Sequence, residues 1–237
     1  MSTALITGGS RGFGRALTSA LLDRGWDVVI DGRDAASLQE TADGLTATKP
    51  SGRLRAIPGD VTDAAHRRQL RDAVDQPDGL DLLVNNAGTL GPSPLPRIAD
   101  LGPQQLRAVF EVNTVAPTAL IRGLLPALRR ARGTIVNITS DAAIEAYVGW
   151  GAYGASKAAL ERVSAILAAE EPELTVHAFD PGDMRTDMHQ AAFPGEDIAD
   201  RPTPEEAVPA LLDLIGTTRG SGRHRGPDLV APAGGLL

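Results

Sequence analysis

The chain has 237 residues, no cysteine, four scattered histidines and a formal net charge of −7. That length suits one α/β domain or two small ones. The acidic balance argues against a nucleic-acid partner, and the lack of cysteine removes disulfides and thiol chemistry and fits a reducing cytoplasm.

The histidines have no metal-ligand spacing, so no metal is expected. No run of 18 apolar residues marks a membrane span, and MSTALITGG has no basic leader of the kind a signal peptide carries. Residues 3–7 read as a strand, and 12–24 as a helix with Phe13, Ala16, Leu17, Ala20 and Leu21 on its apolar face. Residues 26–31 (WDVVID) form the next strand, with a helix from about Asp34. Short strands at 53–57 and 80–84 flank a helix opening at Thr62. Residues 103–131 are mostly helical, with irregularities expected at Pro117 and Pro126. A strand at 134–138 (TIVNI), a helix at 152–170 and a strand at 174–179 (LTVHAF) follow. Strands alternating with helices predict a parallel sheet with helices on both faces. No repeat or linker divides the chain, so 1–237 reads as one domain. Residues 187–204 lack periodicity, and the Gly and Pro content there suits a mobile loop over a site; the substrate loop is placed at about 183–204.

The turn after the first strand reads Thr7-Gly8-Gly9-Ser10-Arg11-Gly12-Phe13-Gly14. Glycines there let backbone N–H groups approach a pyrophosphate, and the helix N-terminus adds its positive end. A glycine-rich turn alone serves equally as plain structure; its place between strand and helix is what favours phosphate. Leu82-Leu83-Val84-Asn85-Asn86-Ala87-Gly88 ends the fourth strand with small residues that open a crevice, where Asn side chains also suit loop backbone. Asp60, after the third strand, is placed to accept from an adenine amino group or to stand as an ordinary helix-start acid.

Only two lysines and two tyrosines occur beside 21 arginines, yet Lys157 follows Tyr153 by four residues in AYGASKAAL. On a helix that spacing puts both on one face, where an ammonium favours the phenolate over the phenol. A surface lysine on an amphipathic helix is the plain alternative.

With TGGSRGFG, NNAG, a serine thirteen residues before YGASK, and Pro181-Gly182 after the sixth strand, the chain resembles the short-chain dehydrogenase/reductase family over almost its whole length. The resemblance implies a doubly wound, Rossmann-type fold with seven parallel strands in one domain, and hydride exchange between a nicotinamide and a carbonyl or alcohol. It matches Tyr153 to the general acid/base, Lys157 to its activating partner, Ser140 to the hydroxyl holding the substrate oxygen, and Asn113 to the helix Asn that supports a proton-relay water. For the cofactor it implies Gly8, Ser10, Arg11, Gly12, Phe13 and Gly14 at the pyrophosphate turn, Asp60 and Val61 at adenine, Asn86, Ala87 and Gly88 at ribose, and Pro181, Gly182 and Thr186 at the nicotinamide. Tyr153 and Lys157 also border it. Phe13 departs from the pattern, where a smaller aliphatic is usual. Cofactor choice carries conflicting signs. Asp31 stands near the place of an acid that selects NAD(H), but the family's selecting acid falls on Gly32, while Arg33 and Arg11 match binders of a 2′-phosphate. NADP(H) is therefore expected, with NAD(H) as the alternative.

Ile144, Tyr147, Trp150, Asp183, Met184, Met188 and Phe193 lie near these motifs, with Ser140 and Tyr153, and point to a small or medium apolar ketone, cyclic or aromatic; core packing accounts equally well for several. The expected protein is a cytoplasmic ketoreductase, dimeric or tetrameric as its relatives usually are, pairing through the helices at 103–131 and 152–170. The short C-terminus GPDLVAPAGGLL weakens the case for an edge-strand contact. A non-catalytic dinucleotide-binding regulator, an NAD-dependent alcohol dehydrogenase and a nucleotide-sugar epimerase are the rivals.

Overall fold

A computed structural model of the chain describes residues 2–217 and 219–229. The first half runs β1 (Thr3–Ile6), α1 (Gly12–Asp23), β2 (Asp27–Gly32), α2 (Ala35–Ala47), β3 (Leu54–Pro58), α3 (Ala64–Ala73) and β4 (Leu82–Asn85). There follow α4 (Pro103–Phe110), α5 (Ala116–Ala131), β5 (Thr134–Ile138), α6 (Gly151–Glu170) and β6 (Thr175–Asp180). The chain then forms α7 (Asp187–Ala192), α8 (Pro204–Gly216), β7 (Gly222–Arg225) and α9 (Gly226–Leu229). The seven strands make one parallel sheet in the order β3-β2-β1-β4-β5-β6-β7.

Strand side chains alternate between the two faces. Ala4, Ile6, Val28, Ile30, Val84, Val136 and Phe179 pack with α1, α2 and α8. Leu5, Val29, Leu83, Ile135 and Val176 pack with α3, α5 and α6 on the other side. Both faces are covered, which is why these strands read as continuous apolar runs. The chain order reverses between β1 and β4, and in such sheets ligands bind outside the carboxyl ends of the strands at that reversal.

Several expectations need correcting. The irregularity between α4 and α5 falls at neither Pro126 nor Pro117 itself but at a π-helical turn, Glu111–Val115, where the Ala116 N–H reaches back to the Glu111 carbonyl. Pro117 sits in the first turn of α5 and Pro126 inside it. Pro117 has no N–H to give the Asn113 carbonyl four residues back, so the mismatch is absorbed ahead of the proline. Joined, Pro103–Ala131 is long and apolar enough to cross a membrane by length and composition, contrary to the plain count of apolar runs. Its Leu120, Ile121, Leu124 and Leu128 nonetheless pack on the sheet. Part of the supposed structureless stretch is helix: Thr186 caps α7 by accepting from the His189 N–H. α8 and β7 carried no strong sequence signal. The former opens on a capping box, Thr203 with Glu206, and the latter is the wholly polar run Gly-Arg-His-Arg. Most of GPDLVAPAGGLL lies outside the described residues.

Candidate active site

The glycine turn between β1 and α1 is shaped by its backbone. Gly8 and Gly12 adopt positive φ, +68° and +54°, and a Cβ at Gly14 would meet the Gly8 carbonyl oxygen at 2.4 Å. The N-terminus of α1 has no side-chain cap and no acid in its first turn. Its N–H groups are therefore left for an anion, which fits the pyrophosphate of a dinucleotide. Around it, side chains brace the turn. The buried Asp31 accepts from the Gly8 N–H through Oδ1 at 2.7 Å and meets His66 Nε2 through Oδ2 at 3.0 Å. Asn86 Nδ2 donates to the carbonyls of Thr7 and Gly8 at 2.9 and 3.0 Å, and Thr7 Oγ1 accepts from the Asn86 and Ala87 N–H groups. The Asn86 side-chain amide N–H thus braces the turn. Asp31 points into the protein, as the strand register requires. Phe13 too lies inside: its ring stacks on Phe179 at 6.1 Å between centroids, so its side chain belongs to the core and not to a cofactor surface.

At the adenosine end, Gly32 faces Ser10, whose side chain stands 3.2 Å from where a Cβ would project. Arg33 is exposed and lies in the electrostatic reach of Asp60. Burial pushes the Asp60 carboxyl up, but hydrogen bonds from the Thr62 N–H and hydroxyl, with Arg33 and His66, bring it below the ordinary carboxylate value. Its Oδ1 is held by its own loop. Val61 and Ala87 share a small void with Thr7 and Asn85 beneath the crevice. Arg11, 70% exposed, pairs with Asp187 at 3.0 Å, and Thr186 comes within 3.5 Å of the Gly12 Cβ direction. The segment after β6 therefore reaches over the glycine turn.

The catalytic candidates gather at the ends of β5 and β6. Tyr153 is buried, with Trp150 edge-on at 5.6 Å between centroids. Lys157 Nζ lies 5.5 Å from the Tyr153 ring centroid and donates to the Ile138 carbonyl at 2.8 Å. Burial pushes the Tyr153 phenol above its ordinary value; a hydrogen bond with Ser140 opposes this, and the charges of Asp180 and Asp141 add to it. Burial also pulls the Lys157 ammonium down to about 8. Burial thus outweighs the expected lowering of the phenol by Lys157, because desolvation penalises both charged forms. Ser140 Oγ donates to Asp141 Oδ1 at 2.9 Å. Asn113, buried in the π-helical turn, donates to the Thr89 carbonyl and to Ser156 Oγ and accepts from the Thr89 N–H. Ser156 in turn donates to the Tyr153 carbonyl at 2.7 Å. The Asn113 side chain thus ties α6 to the loop after β4, and Gly88 lies against both Asn113 and Lys157.

Of the residues proposed for substrate, Trp150 contacts Tyr147, Tyr153 and Phe193 through ring pairs at 5.6–6.1 Å. Ile144 and Met188 are exposed. Met184 instead packs against the core of the α1 and α8 face. Asp183 lies within 3.8 Å of Arg201 and His189. Pro181 is buried, and the Gly182 N–H donates to Asp180 at 3.0 Å. Sequence reading missed Asp31 as a brace, His66, Asp141, Asp180 and the buried chain Asn85–Asn137–Ser164, in which each amide donates to the next residue at 2.8 Å. The only signal was position, as with an acid directly after Ser140 in NITSDAA.

Residues 2–197 match the family described as short chain dehydrogenase. The chain is 35% identical over 202 residues to sepiapterin reductase of Meriones unguiculatus, covering 81% of this chain and 77% of that protein. It is 36% identical over 233 residues to the rhamnolipids biosynthesis 3-oxoacyl-[acyl-carrier-protein] reductase of Pseudomonas aeruginosa, covering 90% and 89%. A short chain dehydrogenase structure from Pseudomonas syringae superposes with a TM-score of 0.88 at 30% identity, covering 95% of this chain and 94% of that one. One from Shigella flexneri, complexed with NADP, gives 0.85 at 30% identity, covering 94% and 95%. Sequence, topology and the arrangement about Tyr153 converge: this chain is an oxidoreductase of the short-chain dehydrogenase/reductase family, acting on CH–OH or C=O groups with a nicotinamide dinucleotide.

Proposed function

We propose that the protein is an NADP(H)-dependent ketone reductase for small to medium apolar carbonyl compounds. The observation that carries this reading is the meeting of Ser140, Tyr153 and Lys157 with the Trp150–Phe193 ring pair at one end of the crevice. A bound nicotinamide supplies or accepts the hydride. The hydroxyls of Ser140 and Tyr153 polarise the substrate oxygen. Burial keeps the Tyr153 phenol protonated, which suits donating a proton to the oxygen as a carbonyl is reduced. Lys157, lowered to about 8, stands beside it as a group whose charge responds near neutral pH. The aromatic rings favour an apolar substrate, cyclic or aromatic, over a charged one.

For NADP(H) rather than NAD(H), the support is threefold. Gly32 presents no acid, Asp31 is turned into the protein, and Arg33 is exposed at the adenosine end. Arg11 is held by an exposed pair with Asp187, which a phosphate can displace. A charge-assisted hydrogen bond contributes about 1.5–3 kcal/mol, enough for at least about a tenfold preference for NADPH in kcat/KM. Steady-state rates with both cofactors on a ketone panel test this. Arg33→Ala is expected to weaken NADPH more than NADH, and equal use of both by the unmutated protein would overturn it. The same reading includes a homodimer or homotetramer pairing through α5 and α6; Ile166 of α6 and Val115 of the π-helical turn are both exposed, and light scattering tests it.

A further inference from the structure

Ser140, Tyr153 and the turn of Pro181 and Gly182 stand on three different elements, and one side chain outside the crevice links all three. Arg223, on the edge strand β7, donates through Nε to Glu161 Oε1 at 3.0 Å. Through Nη2 it donates to Asp180 Oδ2 at 3.1 Å and to the Ser140 carbonyl at 3.3 Å. Each partner reaches further into the site. Glu161 lies one turn beyond Lys157 on α6, and its Oε1 accepts from Thr139 Oγ1 at 2.6 Å. Asp180 Oδ1 accepts from the Gly182 N–H. Asp180 and Glu161 are 3% and 16% exposed and Arg223 is 27% exposed, so the pairing is mostly shielded from water. An open groove of about 410 Å³ between α6 and β7 borders Glu161 and Arg223.

We propose that Arg223 is a positioning residue: its planar fork clamps the ends of β5 and β6 to α6, fixing the Ser140 hydroxyl and the Pro181–Gly182 turn relative to Tyr153. The inference rests on the proton-transfer reading of Tyr153. Only a guanidinium offers several donors in a fixed plane to two carboxylates and a carbonyl at once. The clamp also has an electrostatic side. The charges about Tyr153 are Lys157 on its own helix, Asp141 after β5 and Asp180 on β6, and the two carboxylates disfavour the phenolate. About Asp180 stand Arg223 and Asp141. Removing Arg223 leaves the buried Asp180 carboxylate, whose charge acts on Tyr153, without its ion-pair partner.

The test compares Arg223→Ala, Arg223→Lys and the double variant Arg223→Ala/Asp180→Asn with the unmutated protein, using NADP(H) and a ketone–alcohol pair that it turns over. Arg223→Ala is expected to lower kcat about tenfold or more with NADPH affinity, by fluorescence titration, changed less than about threefold. The acidic limb of alcohol oxidation, where Tyr153 must be phenolate to accept the proton, should move up by about one pH unit, since a nearby negative charge raises a phenol's pKa. Amide exchange should quicken at residues 139–143 and 182–184 and not in the glycine turn. Asp180→Asn keeps the acceptor for the Gly182 N–H but removes the charge, so the double variant should restore the limb while exchange stays fast. Arg223→Lys should keep the limb and still lose rate. Wild-type kcat in Arg223→Lys, or a limb shift that the double variant fails to reverse, overturns the proposal; the lysine variant carries this test even if the alanine variant does not fold. Full turnover by Tyr153→Phe would instead sink the proton-transfer reading while leaving the exchange result intact.

Discussion

At the nucleotide end of the crevice the polar side chains turn inward: Asp31, His66, Thr7 and Asn86 all hold the glycine turn, and what faces outward is backbone N–H. At the catalytic end the side chains face inward toward the reaction, and burial has displaced their titration, with the Tyr153 phenol raised and the Lys157 ammonium lowered to about 8. The first region binds by geometry, which its side chains protect. The second works by groups held away from their preferred charge, which neighbours tune. Substitutions should therefore fail differently at the two ends.

The largest effect is expected at the catalytic end. Tyr153→Phe keeps the ring contacts with Trp150 and removes only the hydroxyl, so kcat should fall about 10²–10⁴-fold while NADPH affinity stays nearly unchanged. Fluorescence titration beside steady-state rates checks this, and more than about a tenth of wild-type kcat would break the distinction. At the nucleotide end, Asp31→Ala frees the Gly8 N–H and leaves His66 without its partner in the core. That should destabilise the fold by about 1–3 kcal/mol and weaken NADPH and NADH together, about tenfold. A changed NADH-to-NADPH ratio with unchanged stability would mean that Asp31 reads the ribose rather than bracing the turn.

The same contrast explains what was legible in the sequence. The elements from β1 to β6 were readable within a residue or two because β1, β2, β4, β5 and β6 carry apolar side chains buried on both sheet faces. β7 was not, since Gly-Arg-His-Arg has no apolar period and takes its strand form from pairing with β6. The positions of Tyr153, Lys157 and Ser140 were readable through motif spacing. What escaped were side chains whose role depends on contacts far along the chain: Asp31 against His66, and Arg223 against Asp180. Met184 escaped for a related reason, since adjacency to a motif does not say which way a side chain turns, and it packs against the core; Phe13, read on the apolar face of α1, lies there, away from the cofactor turn it was also assigned to.

The smallest effect on activity should come from a group that belongs to neither end. His177, on β6, is 1% exposed, and its ring lies 4.9 Å from that of His224 on β7. Burial, with a lesser contribution from His224, pulls His177 down to about 4 from its ordinary 6.5. Between those values the unfolded chain binds a proton that the folded chain refuses, so stability is full above about pH 6.5 and falls as pH drops toward 4. The loss from this group approaches about 3 kcal/mol at the acid end of the window, since each tenfold weakening of proton binding corresponds to about 1.4 kcal/mol. Thermal melts of the unmutated protein and of His177→Leu across that range measure it: the variant's acid decline should be shallower, with turnover at neutral pH close to wild type. An equally steep decline in both would assign acid lability to the carboxylates. A large loss of turnover in the variant at neutral pH would show that β6 couples its interior to the Asp180 end more tightly than the clamp alone requires.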